Sequence, residues 1–366
     1  MLKHVLSHFR RRAKPLQKMG NRLGSVIGHY PELTVTGSLS DAASSKDTEY
    51  GFTAMELTDF GSYYVGGRRV EVSDESSRTI WFTPDVSFDY DPNGMFHIEQ
   101  AWVQYFIPST LKCERPLLMV HGGGLSGVTW DSTPDGRHGW LQHFVSMGHA
   151  THVIDGVERG RAGFNAVIGH GWSDEPIVRS EREAWTLFRI GLAEDFEQRK
   201  PLPDCQFPVE ALEAFTMQSV PRWTSTTAVA CDALEAALER IAKRFGRVNV
   251  ICHSQGGGLT NTVAARRPDL FNAIVAVEAS GFPEELPAGA ANIKWLSILG
   301  DHMDTGATSA FLRDGARDHH DRLIALGARS EVVSTRDFTQ PGNTHLMMMD
   351  RNNQDIAGYI HQWLTN

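Results

Sequence analysis

Between residues 116 and 334 short, continuously apolar runs alternate with stretches of helical character, and no other feature of the sequence narrows the fold so far. The runs are PLLMV (116–120), THVI (151–154), VNVIC (248–252), AIVAV (273–277), IKWLSIL (293–299) and EVVS (331–334). A strand apolar at every position is buried on both faces, and such strands separated by helices form a parallel sheet covered on either side. Helices are expected at 228–245, where Leu234, Leu238, Ile241 and Phe245 share one face before Gly246, at 257–266 before Pro268, and at 355–364. Upstream, ELTDFGSYYVGGRRVEV (56–72) carries aromatic and β-branched residues on both sides of Gly66-Gly67 and reads as a hairpin. HIEQAWVQYFI (97–107) reads as a further strand after the turn Asp91-Pro92-Asn93-Gly94. The expected class is α/β, with a mostly parallel central sheet and antiparallel strands at its front.

Residues 1–49 stand apart from this pattern. Lys3, Arg10, Arg11, Arg12, Lys14, Lys18 and Arg22 occur with no acid in the first 22 positions, and 31–49 is a polar connector rich in Ser, Thr and Asp. No apolar stretch follows the basic start, so it does not read as a secretory signal. It reads as a solvated extension, with an organellar targeting segment or membrane-surface arm as the alternatives. The domain proper is placed at 50–366. Lys and Arg together number 35 against 44 Asp and Glu, a net charge of −9 that argues against nucleic acid as the partner. No apolar run approaches the ~20 residues of a spanning helix, so stable membrane insertion is not expected. Cys113, Cys205, Cys231 and Cys252 are scattered without a C-x-x-C pair, which favours a reducing compartment and cytoplasmic residence, or an organelle if 1–22 is a targeting segment.

In an open parallel sheet the reactive groups belong at the carboxyl ends of the strands. Cys252-His253-Ser254-Gln255-Gly256 follows the strand VNVIC and opens a helix, the setting of a G-x-S-x-G turn, with Cys252 in place of the first glycine. A serine hydroxyl needs a base to take its proton and hydrogen-bond donors for the oxyanion it generates. His121-Gly122-Gly123-Gly124 follows PLLMV and offers main-chain amides beside that turn; Gly123 and Gln255 are the expected N–H pair. His121 reads as a residue that positions the loop. His345 lies between the last strand and the last helix and is the candidate base, ahead of His302, His319, His320 and His361. The acid is either Glu278, which ends AIVAV, or one of Asp301 and Asp304 after IKWLSIL; pattern leans to Glu278 and leaves Asp301 open. Asp318-His319-His320-Asp321 and Asp301-His302 lack the H-E-x-x-H spacing, so no metal or other cofactor is expected.

Together these residues resemble the α/β-hydrolase superfamily, and within it a branch of bacterial serine esterases whose acid is a glutamate after strand six. The likeness runs through GSYYVGGRRV (61–70), DPNGMFHIEQAWVQYFIP (91–108), HGGGLSGVTWDSTPDGRHGW (121–140), the segment 155–161 and GNTHLMMMDRNNQ (342–354). It implies Ser254 as nucleophile, His345 as base and Glu278 as acid, with Gly123 and Gln255 at the oxyanion. The segment DGVERGRA (155–162) departs from the branch's D-x-x-G-x-G-x-S.

About 90 residues separate Asp155 from Arg247, where a bare crossover needs only a dozen or so. The excess implies a cap over the strand ends at about 163–225. Its aromatic residues include Trp185, Phe188 and Trp223, which with Gly124 are the expected substrate contacts in an apolar pocket. The expected activity is hydrolysis of a bulky or aromatic apolar ester through an acyl-serine intermediate. A lactonase or acyltransferase on the same residues, and a ligand-binding relic without turnover, are the alternatives. The expected partner is a small-molecule ester, with a homodimer left open.

Overall fold

The computed structural model describes residues 55–366, so the basic segment and polar connector at 1–49 lie outside the described residues. In chain order the strands are β1 (Leu57–Val72), β2 (Arg78–Thr83), β3 (Val86–Tyr90), β4 (Gly94–Pro108), β5 (Leu117–Val120), β6 (Thr151–Asp155), β7 (Val248–His253), β8 (Phe271–Val277), β9 (Lys294–Leu299) and β10 (Ser330–Ser334). Eight of them form one sheet in the order β1-β4-β6-β5-β7-β8-β9-β10, while β2 and β3 make a separate ribbon. β1 with β4 and β4 with β6 pair antiparallel; from β6 through β10 the pairing is parallel. The apolar runs are therefore strands for the reason given: β5, β6 and β7 are buried at every residue.

Helices cover both faces. Leu234, Leu238 and Ile241 of α3 (Thr227–Phe245) and Val263 of α4 (Gln255–Arg266) pack on one side with Leu118, Val250 and Ile274. On the other side α1 (Trp140–Ser146) and α6 (Asn353–Thr365) join Leu117, Met119 and Val275. Two further helices are α2 (Glu181–Leu187), in the insertion between β6 and β7, and α5 (Ala307–Ala325).

The expected hairpin at Gly66-Gly67 is absent. β1 is one strand, paired along its length with β4 some thirty residues later. The glycines do mark positive φ, at +65° and +76°, and Glu99 opposite them sits at +66°. They mark a local kink where the strand passes close over α3, not a chain reversal. A Cβ on Gly66 would stand 2.9 Å from Ala233 Cα, and one on Gly67 2.7 Å from the Ile98 carbonyl oxygen.

Candidate active site

Ser254 ends β7 and begins α4, in a turn so tight that its backbone sits at φ 49°, ψ −119°. A non-glycine residue held there is strained, a cost that persists only where the surroundings impose it. They do: the Ser254 N–H donates to the Val277 carbonyl at 3.1 Å, and its carbonyl accepts from Gly257 at 2.9 Å and Ser280 at 3.0 Å. A Cβ on Gly256 would lie 2.4 Å from the His121 carbonyl oxygen, and one on Gly257 2.2 Å from Ala279 Cβ. The glycines after the serine let strand and helix nearly touch. Cys252 fits the other side as a buried small residue, and burial pushes its thiol up to about 12, so it is inert.

Glu278 ends β8 and, like Ser254, has positive φ, at +43°. Its carboxylate receives four donors. Oε2 accepts from His345 Nδ1 at 2.5 Å and Arg189 Nη1 at 2.8 Å; Oε1 accepts from the Gly300 N–H at 2.8 Å and from Arg189 Nη2. Burial alone would raise this carboxyl, but the Arg189 guanidinium and His345 more than offset it and hold it well below the usual carboxylate range. The cation a buried glutamate requires is thus Arg189, itself buried and contributed by the insertion between β6 and β7. Asp301 takes a different job. Its Oδ2 accepts from the Gly342 and Asn343 N–H groups at 2.6 and 3.0 Å, and Oδ1 from Arg336, so it fixes the base of the loop that carries His345 without touching the imidazole.

His345 is held from three more directions. Its N–H donates to the Phe188 carbonyl at 3.1 Å, the Phe188 ring stacks on the imidazole at 5.7 Å and 11°, and its carbonyl accepts from His253 Nε2 at 2.9 Å. His253 is wholly buried, and burial followed by the neighbouring His345 lowers its pKa far below normal, which keeps it neutral. With Nε2 donating, its unprotonated Nδ1 faces Gly122, where a Cβ would stand 2.6 Å away. His121 positions the loop as expected: Nδ1 donates to the Gly122 carbonyl at 2.8 Å and Nε2 accepts from the Gly156 N–H at 3.1 Å. Burial takes it down to about 4. Asp155 clamps the same loop to the divergent 155–162 segment, accepting from Gly127 N–H at 2.6 Å and from Arg161 N–H and Nε at 2.8 Å each.

Ser254, His345, Gly123 and Gln255 line one cleft of about 160 Å³, together with Phe188, Leu187, Leu312, Arg179 and Arg222. A Cβ on Gly123 would lie 2.6 Å from Gln255 Oε1, so the glycine loop runs directly along the start of α4. The first N–H groups of a helix lack an intrahelical partner, so Gln255 N–H is available to an anion at this spot. Among the described residues no hydrogen bond joins the Ser254 hydroxyl to the imidazole at rest, a common looseness in unliganded sites.

Three expected substrate contacts lie elsewhere. Trp185, in the insertion between β6 and β7, is fully buried in the cluster that also holds Leu117 and Met119, its Nε1 donating to the Leu192 carbonyl at 3.0 Å. Trp223 is buried against Phe164 at 5.6 Å, and Gly124 spends its carbonyl on the Val220 N–H at 2.9 Å. Phe188 alone of the expected contacts lines the cleft. Sequence reasoning missed Arg189, His253, Arg179 and Arg222; the requirement of Glu278 for a cation was the signal for the first. Far from this cleft, ligating atoms of Cys113, His149 and His361 come within 4.8 Å of one another, with His149 Nε2 and His361 Nδ1 hydrogen-bonded at 2.9 Å. Cys113 and His149 precede β5 and β6, at the end of the sheet opposite Ser254, and His361 lies on α6; they take no part in its chemistry.

A doubly covered, mainly parallel sheet with a strained serine turn at the end of its central strand defines a class, and the comparisons agree. The alpha/beta hydrolase fold family matches residues 115–338, and this chain belongs to it as a hydrolase of the serine-carboxylesterase type. A solved structure of a novel bacterial esterase is similar at 30% identity with a TM-score of 0.73, covering 86% of this chain and 97% of that one. A protein of a fungal species, "Probable secreted lipase phiG", is 23% identical over 342 residues, 79% of this chain and 92% of its own length. No helix among the described residues is long and apolar enough to cross a membrane.

Proposed function

We propose that the chain hydrolyses carboxylic esters with Ser254 as nucleophile, His345 as base and Glu278 as the acid. The observation that carries this reading is the hydrogen bond of 2.5 Å from His345 Nδ1 to the Glu278 carboxylate, in the cleft that Ser254 also lines. With Nδ1 donating, Nε2 is the basic nitrogen. Ser254 Oγ attacks the ester carbonyl as its proton passes to Nε2, and Glu278 stabilises the imidazolium. The Gly123 and Gln255 N–H groups receive the oxyanion; the alcohol departs with the imidazole's proton, and water repeats the sequence on the acyl-serine. Leu187, Phe188 and Leu312 support an apolar portion in the substrate, with less aromatic lining than the cap sequence implied. Residence in a reducing compartment is supported by the four cysteines, all free thiols.

The test is a fluorophosphonate probe with wild type and Ser254→Ala. Wild type should label at Ser254 and turn over activated aryl esters, and the variant should lose labelling and about four or more orders of magnitude in kcat. Turnover unchanged in Ser254→Ala would end the reading.

A further inference from the structure

The cleft beside Ser254 holds more positive charge than a simple ester needs. Arg179 and Arg222 both line it. Arg222 lies along the glycine loop, where a Cβ on Gly123 would meet its Cδ and Nε at 3.2 Å each. Its backbone is pinned by paired hydrogen bonds with Ile177, 3.0 and 2.8 Å, so the side chain is rooted beside the loop. Yet its Nε is buried with no hydrogen-bond partner, and no carboxylate forms an ion pair with it among the described residues. After burial, the influence that most depresses its pKa is another cation, Arg179. Behind it Arg159 is buried, donates to the Pro221 carbonyl at 2.6 Å, and is brought down to about 10 by burial and then by Arg222. Of the two that line the cleft, Arg179 has an ion pair among the described residues, with the exposed Glu183, while Arg159 behind them feels the negative charge of Glu158.

Guanidinium groups that repel one another in a half-buried place are costly unless something negative joins them. The planar fork of an arginine matches an oxyacid group two oxygens at a time. We propose that Arg222, flanked by Arg179, is a subsite for an anionic oxyacid group, a carboxylate or phosphate monoester, carried by the substrate close to its scissile carbonyl. This rests on the hydrolase reading above and sharpens it: the ester is acidic at one end and apolar at the other.

The experiment compares kcat/KM for 4-nitrophenyl hydrogen succinate with that for the uncharged 4-nitrophenyl pentanoate, using wild type, Arg222→Met and Arg222→Lys. Wild type should prefer the anionic ester, and Arg222→Met should cut that preference about 10- to 100-fold, mainly through KM. Arg222→Lys should restore part of it, because charge returns without the fork. Added salt should weaken wild-type binding of the succinate ester alone. Succinate and inorganic phosphate as competitive inhibitors of pentanoate turnover tell the two oxyacid sources apart. An anionic-to-neutral ratio left unchanged by Arg222→Met, including an equal loss on both esters from a role at the oxyanion, overturns the subsite. If Arg222→Met does not fold, the lysine variant and the wild-type salt dependence decide. Wild type that neither labels with fluorophosphonate nor turns over either ester fails at the hydrolase reading, and the subsite falls with it.

Discussion

Replacing Arg189 by Met removes the cation from a pair buried on both sides while keeping much of the side-chain volume. Arg189 Nη1 stands 2.8 Å from Glu278 Oε2, which puts the charge centres ~4 Å apart. At an effective dielectric of ~20 that attraction is ~4 kcal/mol, and the two charge-assisted hydrogen bonds from Arg189 to the carboxylate are lost with it. The variant should therefore lose about 3–5 kcal/mol of stability at pH 8, where Glu278 is left charged without its buried cation and keeps only the His345 and Gly300 donors. The pH dependence reverses sign. In wild type the depressed carboxyl contributes stability that is present above the unfolded value of ~4.3 and lost as pH falls toward its folded value. In Arg189→Met the carboxyl is raised, so stability is greatest in acid and declines as pH rises through the new folded value. Urea unfolding at pH 5 and 8, beside ester turnover, reads both effects. The double variant Arg189→Met with Glu278→Gln carries no buried charge, and should recover most of the stability while remaining inactive. A double variant no more stable at pH 8 than the single one would refute the electrostatic account.

Gly256→Ala places a Cβ 2.4 Å from the His121 carbonyl oxygen. It should cost about 2–4 kcal/mol in thermal unfolding and slow fluorophosphonate labelling of Ser254. At matched folding, Glu278→Gln should lower kcat by up to ~10⁴-fold, while Asp301→Asn, which loosens only the loop base, should lower it by less than ~10-fold; the reverse order would transfer the acid's role to Asp301. Asp350 is fully buried and is pushed up to about 7 by that burial, despite the donors Asn343 and Thr344. Since its folded value exceeds the unfolded ~3.9, it should make stability decline as pH rises from about 4 to 7. Melting curves of Asp350→Asn should lose that slope; a variant with the wild-type slope would assign it to another group.

The sheet was legible because strands covered on both faces must be apolar at every position, and each run from PLLMV to EVVS is a strand. Helices 228–245 and 257–266 followed from spacing, although α4 starts at Gln255, because Ser254 closes the turn in one residue. Gly66-Gly67 misled because positive φ marks a close crossing as readily as a reversal, and the crossing helix lies more than 150 residues downstream. Around the serine, the residues whose roles depend on main-chain geometry could be read from small residues and strand ends. Arg189, His253 and Arg222 could not, since each acts through a contact between distant parts of the chain. The aromatic residues of the insertion carry the same ambiguity: composition says they are buried, and only packing distinguishes Trp185, in the core shared with the sheet, from Phe188, on the imidazole.

Phe188 and Arg189 also bear on how this protein can be altered by recombination. They belong to the insertion, yet one steadies the imidazole and the other neutralises its acidic neighbour. The insertion is therefore no interchangeable lid. A chimera that takes its equivalent from a distant relative would exchange selectivity and reactivity together, unless those two adjoining positions travelled with the host.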